Sequence, residues 1–265
     1  MSNQYIEYLH SKYYSHTDMV STVTSSHWQN IGESDLMLKN GNINIKGLGG
    51  FGDFVPNTLR NKIRHIFYHF LIRNYLRKYS SNKNLENLSR KLARNSHRLY
   101  LMDCAKHVMG IESALDGLKA KNFTEKKIKT ICIIGDGYGF MGNLIKEFDP
   151  NVKIIFVNLG KQLIFDLQVT LQVNANCKCK LINQSNDFSG QYDMYFLEAE
   201  NFSLLEGLNI DMFFNVASMQ EMNKAIVDKY FEYMRTSIAK NIYFYCCNRV
   251  LKSLPDGEEI IFDNY

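Results

Sequence analysis

A chain of 265 residues with 45% hydrophobic and 13% aromatic residues can bury a sizeable core, which excludes global disorder. Its formal charge of +4 is unevenly spread: from Arg60 to Lys106, twelve lysines and arginines face only Glu86 and Asp103, a local +10, so the remainder sums to −6. The six cysteines (Cys104, Cys132, Cys177, Cys179, Cys246, Cys247) have no disulfide-framework spacing, and Met1 to His16 lacks an apolar run long enough for a signal or a span, so a reducing cytoplasm is expected. Cys177-Lys-Cys179 lacks the second ligand pair that zinc requires, and no metal is expected there.

In chain order, Asn42 to Lys46 alternates like a short strand, and the glycine-rich Gly47 to Asp53 reads as a loop. No lysine-serine pair follows that loop as in a P-loop. A helix is expected over Thr58 to Tyr79, because Leu59, Ile63, Ile66, Phe67, Phe70 and Leu71 recur at helical spacing. Arg60, Lys62, Arg64, Arg73, Arg77 and Lys78 fill much of the rest. This basic surface reads either as an attractor for an anionic substrate or membrane surface, or as the solvated face of a bundle. A second helix is expected from Leu85 to about Met109, and a third from Ile111 to Leu118.

The texture changes near Lys127. Apolar runs at Ile128 to Ile134, Val152 to Val157, Tyr192 to Leu197, Asp211 to Val216 and Ile242 to Cys247 read as strands. Helical patterns at Met141 to Phe148, Lys161 to Val173 and Asn223 to Ile238 separate them. Such alternation implies a parallel α/β sheet with helices on both faces. Cys177 to Gln184 reads as an extra strand or part of a hairpin. The division expected is a mainly helical region over 1–120, serving as a substrate cap, and a cofactor-binding domain over 121–265.

The sharpest signal is Gly135-Asp136-Gly137-Tyr138-Gly139, which lies where the first strand hands over to the first helix. Glycines there let the backbone turn tightly and let a ligand approach with no Cβ in the way. A nicotinamide-binding motif would need its third glycine at Phe140. The end of the second strand, where an acid ordinarily binds both ribose hydroxyls, falls at Asn158, which lacks the charge. After the fourth strand, Asn215 to Glu221 falls at the carboxyl edge of the sheet, where ligands bind in open α/β folds. Glu221 could act as a general base if burial raises its pKa. Equally, Ser218 and Glu221 have the spacing of a capping box for the following helix.

The second half resembles the sugar O-methyltransferases of bacterial surface-polysaccharide gene clusters. The resemblance rests on Ile-Ile-Gly-Asp-Gly-Tyr-Gly (133–139), Asn-Leu-Gly (158–160), Phe-Asn-Val-Ala-Ser-Met-Gln-Glu-Met (214–222), Tyr-Phe-Tyr-Cys-Cys-Asn-Arg (243–249) and Leu-Pro-Asp-Gly-Glu (254–258). It covers roughly residues 125 to 265; upstream, only Ser26-His27-Trp28 and the helical region match, and loosely. The glycine motif is generic to methyltransferases, whereas Gln-Glu-Met and Cys-Asn-Arg are more specific to the family.

The resemblance implies a Rossmann-like class I methyltransferase fold, S-adenosyl-L-methionine as cofactor and a sugar hydroxyl as acceptor. The basic helices would then help bind an anionic acceptor, such as a nucleotide-linked or lipid-linked sugar. By position, Gly135, Asp136, Gly137, Tyr138 and Gly139 would form the cofactor loop. Asn158 and Leu159 would hold the ribose and flank the adenine, Glu198 would face the adenine edge, and Asn215 would lie beneath the reacting centre. Glu221 is the catalytic candidate.

Three departures accompany the resemblance. Ile133 stands where the family has an acid, with Asp136 as candidate replacement. Asn158 replaces the ribose acid, and Gly160 stands where proline is common. The family's sheet implies two strands after Ile242 to Cys247, one of them antiparallel, and residues 248–265 offer one candidate, Glu258 to Phe262, so a truncated sheet or a differently built edge is expected.

The alternative reading is a non-catalytic binding protein on a degenerate methyltransferase fold. A nucleic-acid substrate is not expected: aromatic residues interleave with the basic ones only at core spacing, and Asn215-Val-Ala-Ser stands where amino-methylating enzymes carry Asn/Asp-Pro-Pro-Tyr. The seven histidines all precede the second half, and none is assigned a role.

Overall fold

The computed structural model describes residues 2–14, 24–30, 35–39, 42–46, 55–120, 128–237 and 242–265. The chain opens with α1 (Ser2–Tyr14) and α2 (Ser26–Asn30), followed by an antiparallel hairpin of β1 (Asp35–Lys39) and β2 (Asn42–Lys46), the latter on the alternating segment. The loop expected over Gly47 to Asp53 lies outside the described residues. The helix expected over Thr58 to Tyr79 is two helices, α3 (Leu59–Arg64) and α4 (Ile66–Tyr79), with Thr58 capping the first through the Asn61 N–H and the break at His65.

The expected helix from Leu85 to Met109 is also divided. α5 (Lys83–Asn95) ends where the Ser96 hydroxyl donates back to the Leu92 carbonyl and His97 turns left-handed at φ 54°. A β-carbon makes that conformation costly inside a helix, so the period continues in sequence while the helix does not. α6 (Met102–Ala120) then runs unbroken through the segment expected as a separate third helix.

In the second half, β3 (Thr130–Ile134), α7 (Phe140–Phe148), β4 (Lys153–Asn158), α8 (Gly160–Val173), β5 (Cys179–Ile182), β6 (Met194–Glu198), β7 (Met212–Val216), α9 (Lys224–Thr236) and β8 (Tyr243–Cys247) follow in order. Six strands form one sheet, in the order β5-β6-β4-β3-β7-β8, and every neighbouring pair is parallel. The Cys177 to Gln184 stretch thus supplies a parallel edge strand. This is a Rossmann-like α/β architecture.

Side-chain alternation divides the core into two layers. Ile131, Ile133, Ile154, Phe156, Met194 and Phe196 pack with the helices α1 and α4 to α8. Cys132, Ile134, Ile155, Val157, Tyr195 and Leu197 pack with Val227 and Tyr230 of α9. Helices therefore cover both faces, unevenly. The fully buried rings of Phe156 and Phe196 stack at 4.9 Å, and burying each contributes about 2–3 kcal/mol. The strand expected at Glu258 to Phe262 forms as β10 (Glu259–Ile261), but it pairs antiparallel with β9 (Leu251–Ser253) in a separate hairpin. Among the described residues, the main sheet has no antiparallel strand.

Candidate functional site

The chain leaves β3 toward β4 on one side, and β7 lies on the other side of β3. A crevice opens at the carboxyl ends of the strands at such a switch point. Two glycines shape it. Gly135 has φ +69°, and a Cβ there would overlap the Ser218 hydroxyl. Gly137 has φ +84° with nothing within 4 Å of where a Cβ would stand, so the loop offers bare backbone to open space.

Asp136 serves the loop from below. Its carboxylate accepts the Met141 N–H at 2.9 Å and the Gly142 N–H at 2.7 Å, meeting free donors in the first turn of α7. Gly139 is the N-cap position of α7, and Tyr138 stands edge-on to Phe165 at 5.4 Å.

A narrow pocket lies over this loop, lined by Gly135, Gly137, Asn158, Leu159, Gln162 and Ala199 on one side. Ser218, Glu221, Met222, Ser25 and Trp28 line the other. The Asn158 amide donates to Asp166 at 2.9 Å, and its oxygen accepts the Leu159 N–H at 3.0 Å. Asp166 is fully buried, and its other oxygen has no hydrogen-bond partner. Burial, and then the charge of nearby Asp136, push its pKa well above the usual carboxylate range. An acid at 158 would bring a second carboxylate against Asp166, which accounts physically for the asparagine.

Glu198 lies at the end of β6 and is only 2% exposed. Its carboxylate is engaged from α1, by the Lys12 ammonium at 2.7 Å and the Tyr13 hydroxyl at 2.6 Å. A Cβ on residue 160 would overlap the Tyr13 ring, which accounts for the glycine there.

The opposite wall is tied together by Asn215, which is fully buried. Its amide donates to the Ile134 carbonyl at 2.8 Å and to the Ser218 hydroxyl; its oxygen accepts from Met219 N at 3.2 Å and from the Asn248 amide at 2.7 Å. Gln220 completes the join, donating its N–H to Asn248 and accepting the Arg249 N–H at 2.8 Å. The Gln-Glu-Met and Cys-Asn-Arg segments are therefore one structural unit. Ala217 adopts φ 63° within it and donates to the Cys247 carbonyl, a strained conformation held by the network around it. The capping box expected of Ser218 and Glu221 does not form: the Ser218 hydroxyl donates to the Ile134 carbonyl, leaving the Glu221 side chain to the pocket.

Glu221 is reached by the segment around α2. Ser25 donates to its backbone carbonyl, and the His27 Nε2 stands 3.5 Å from its carboxylate. Burial raises the Glu221 pKa to about 7, against the opposing pull of Lys252, a Gln220 hydrogen bond, Arg249 and Lys106. Burial, and then Lys252, lower the pKa of His27. The spacing alone suits an ion pair, but both shifts favour the neutral forms. Glu221 therefore exchanges its proton near neutrality, beside an imidazole whose charged form burial disfavours. Sequence reasoning assigned no role to His27; its signal was the Ser26-His27-Trp28 segment within the resemblance.

Among the described residues, no group of three or more His, Cys, Asp or Glu side chains could hold a metal ion. The fold and the glycine turn define a Rossmann-like α/β protein with a pocket at its switch point. No protein-family model matches the chain, and no curated protein matches it. A solved structure titled "Crystal structure of methyltransferase CalO6" is similar at a TM-score of 0.32 and 8% identity, over 74% of this chain and 78% of that one. A likeness that slight carries no argument about this chain.

Proposed function

We propose that the protein is an S-adenosylmethionine-dependent O-methyltransferase whose acceptor is a sugar hydroxyl on an anionic molecule, such as a nucleotide-linked or lipid-linked sugar. One observation carries the reading: an open glycine turn at Gly137 and a carboxylate titrating near neutrality, Glu221, are walls of the same pocket. The sugar class comes from the sequence resemblance.

The residues present fit the cofactor at the loop, where Gly135 and Gly137 line the pocket and a Cβ at 137 would stand in open space. Asn158, Leu159 and Gln162 would meet its nucleoside part with neutral groups only. When bound, S-adenosylmethionine supplies an activated methyl group, so the protein has to align a hydroxyl and accept its proton. Glu221 is the proton acceptor, and His27 orients it. Lys106, Arg249 and Lys252 set a positive field at the carboxylate, which favours an anionic acceptor.

Calorimetric titration with S-adenosylmethionine and with S-adenosylhomocysteine tests the cofactor. Micromolar binding that disappears in Gly137→Val is expected, and no binding of either by the folded chain sinks the reading. Methyl transfer should rise with pH through about 7 and be lost in Glu221→Gln.

A second reading, a non-catalytic binding protein on a degenerate fold, is favoured by the engagement of Asn158 and Glu198 within the chain itself. It requires cofactor binding with no transfer to any hydroxyl acceptor.

A further inference from the structure

The helices α3 and α4 leave a large apolar face in water. α4 is anchored by Ile72 and Leu76, both buried. On the opposite side of the helix, Ile66, Phe67 and Phe70 are 70%, 66% and 61% exposed, and Leu59 and Ile63 of α3 are 75% and 65% exposed. Scattered exposed apolar residues need no explanation, but a contiguous cluster rimmed by polar residues marks a binding surface.

The rim has one sign. Arg60, Lys62, Arg64, Arg73, Arg77 and Lys78 lie on the same two helices, and no Asp or Glu occurs between Asp53 and Glu86. The partner must therefore be negative as well as apolar beneath its surface. A second copy of this chain fits poorly, because a symmetric contact would press like charges together. An anionic bilayer fits both properties: basic side chains meet headgroups while aromatic and aliphatic ones enter the acyl boundary. Tyr68, Tyr75 and Tyr79, also exposed, are of the type that settles at that boundary. Among the described residues no helix is long and apolar enough to cross a membrane, so the contact is one of lying on the surface.

We infer that α3 and α4 form a peripheral docking face for an anionic lipid bilayer, with Ile66, Phe67 and Phe70 inserted and the Lys/Arg rim on the headgroups. This inference is independent of the methyl-transfer reading.

Co-sedimentation of the full chain with vesicles tests it, using phosphatidylcholine alone and phosphatidylcholine mixed with phosphatidylglycerol. Binding is expected only to the mixed vesicles and should weaken as salt is raised. A basic residue at an anionic surface contributes roughly fivefold in affinity, so Arg73→Ala, Arg77→Ala and Lys78→Ala together should weaken binding on the order of a hundredfold. Phe67→Ser with Phe70→Ser should weaken it at least about tenfold with every charge retained. All five sites are exposed, and unchanged circular dichroism and thermal melts would show that the variants fold. The inference is overturned if the mixed vesicles do not pull down the wild-type chain, if neutral vesicles bind it equally, or if both variants bind like wild type. A wild-type dimer that Phe67→Ser with Phe70→Ser converts to monomer would likewise overturn it, by assigning the face to self-association.

Discussion

Replacing Glu221 with glutamine isolates the cost of holding a carboxylate in the pocket. The side chain is 23% exposed and burial raises its pKa from 4.5 to about 7. Below the unfolded value the carboxyl is neutral in both states, and wild type and variant should respond to pH alike. Between 4.5 and about 7 the unfolded chain ionises while the folded chain keeps its proton, so wild-type stability falls as pH rises. At about 1.4 kcal/mol per tenfold change in proton affinity, the full difference is about 3 kcal/mol. Residual solvent contact reduces that to roughly 2 kcal/mol. Glutamine keeps the shape and a donor for His27 but cannot ionise. Urea denaturation of both proteins at a series of pH values should therefore show Glu221→Gln gaining about 2 kcal/mol over wild type across that window. A stability difference that does not change with pH would refute the assignment of a buried, proton-holding Glu221.

Four further outcomes follow from the same geometry. Asp166→Asn should remove the loss of stability that wild type suffers as pH rises from the ordinary carboxylate value of 3.8 towards the raised Asp166 pKa, again read from urea midpoints; a stability difference that does not change with pH would contradict it. Asn158→Asp places a second carboxylate against Asp166 and should destabilise by about 2–4 kcal/mol at alkaline pH, less as pH falls, in thermal melts. Gly135→Ala should lose about 2–3 kcal/mol by calorimetry, because its φ of +69° is unfavourable with a Cβ and Ser218 occupies the space; Ser218→Gly in the same chain should restore part of it. Lys12→Met should lower the melting temperature by an amount equivalent to roughly 2–3 kcal/mol, since Glu198 would keep a buried charge with a weaker set of partners; an unchanged melt would mean that α1 does not hold that carboxylate.

The parallel sheet was readable because its signal is local. Apolar runs such as Val152 to Val157 are bounded by turn residues, and the strand positions buried on both faces, Ile154 to Val157, are apolar. The glycine turn was readable for the same reason: positive φ restricts the residue types that tolerate it. The break at Ser96 and His97 was not readable, since the helical period continues through it and the competing hydrogen bond involves only one hydroxyl. The capping box misled because Ser218 has the right spacing, whereas its hydroxyl donates instead to the carbonyl of Ile134 at the end of β3.

The α/β alternation, the place of the loop at Gly135 to Gly139 and the run that carries Glu221 are legible in the residues alone, because each depends on neighbours within a few positions. Which polar groups remain available in the pocket depends on packing between distant segments. Asn158 is turned to Asp166, Glu198 to Lys12 and Tyr13, and Glu221 to His27, across 8, 186, 185 and 194 positions of chain respectively. A buried carboxylate takes its protonation from whichever partners and desolvation surround it, and those are fixed by packing rather than by spacing along the chain.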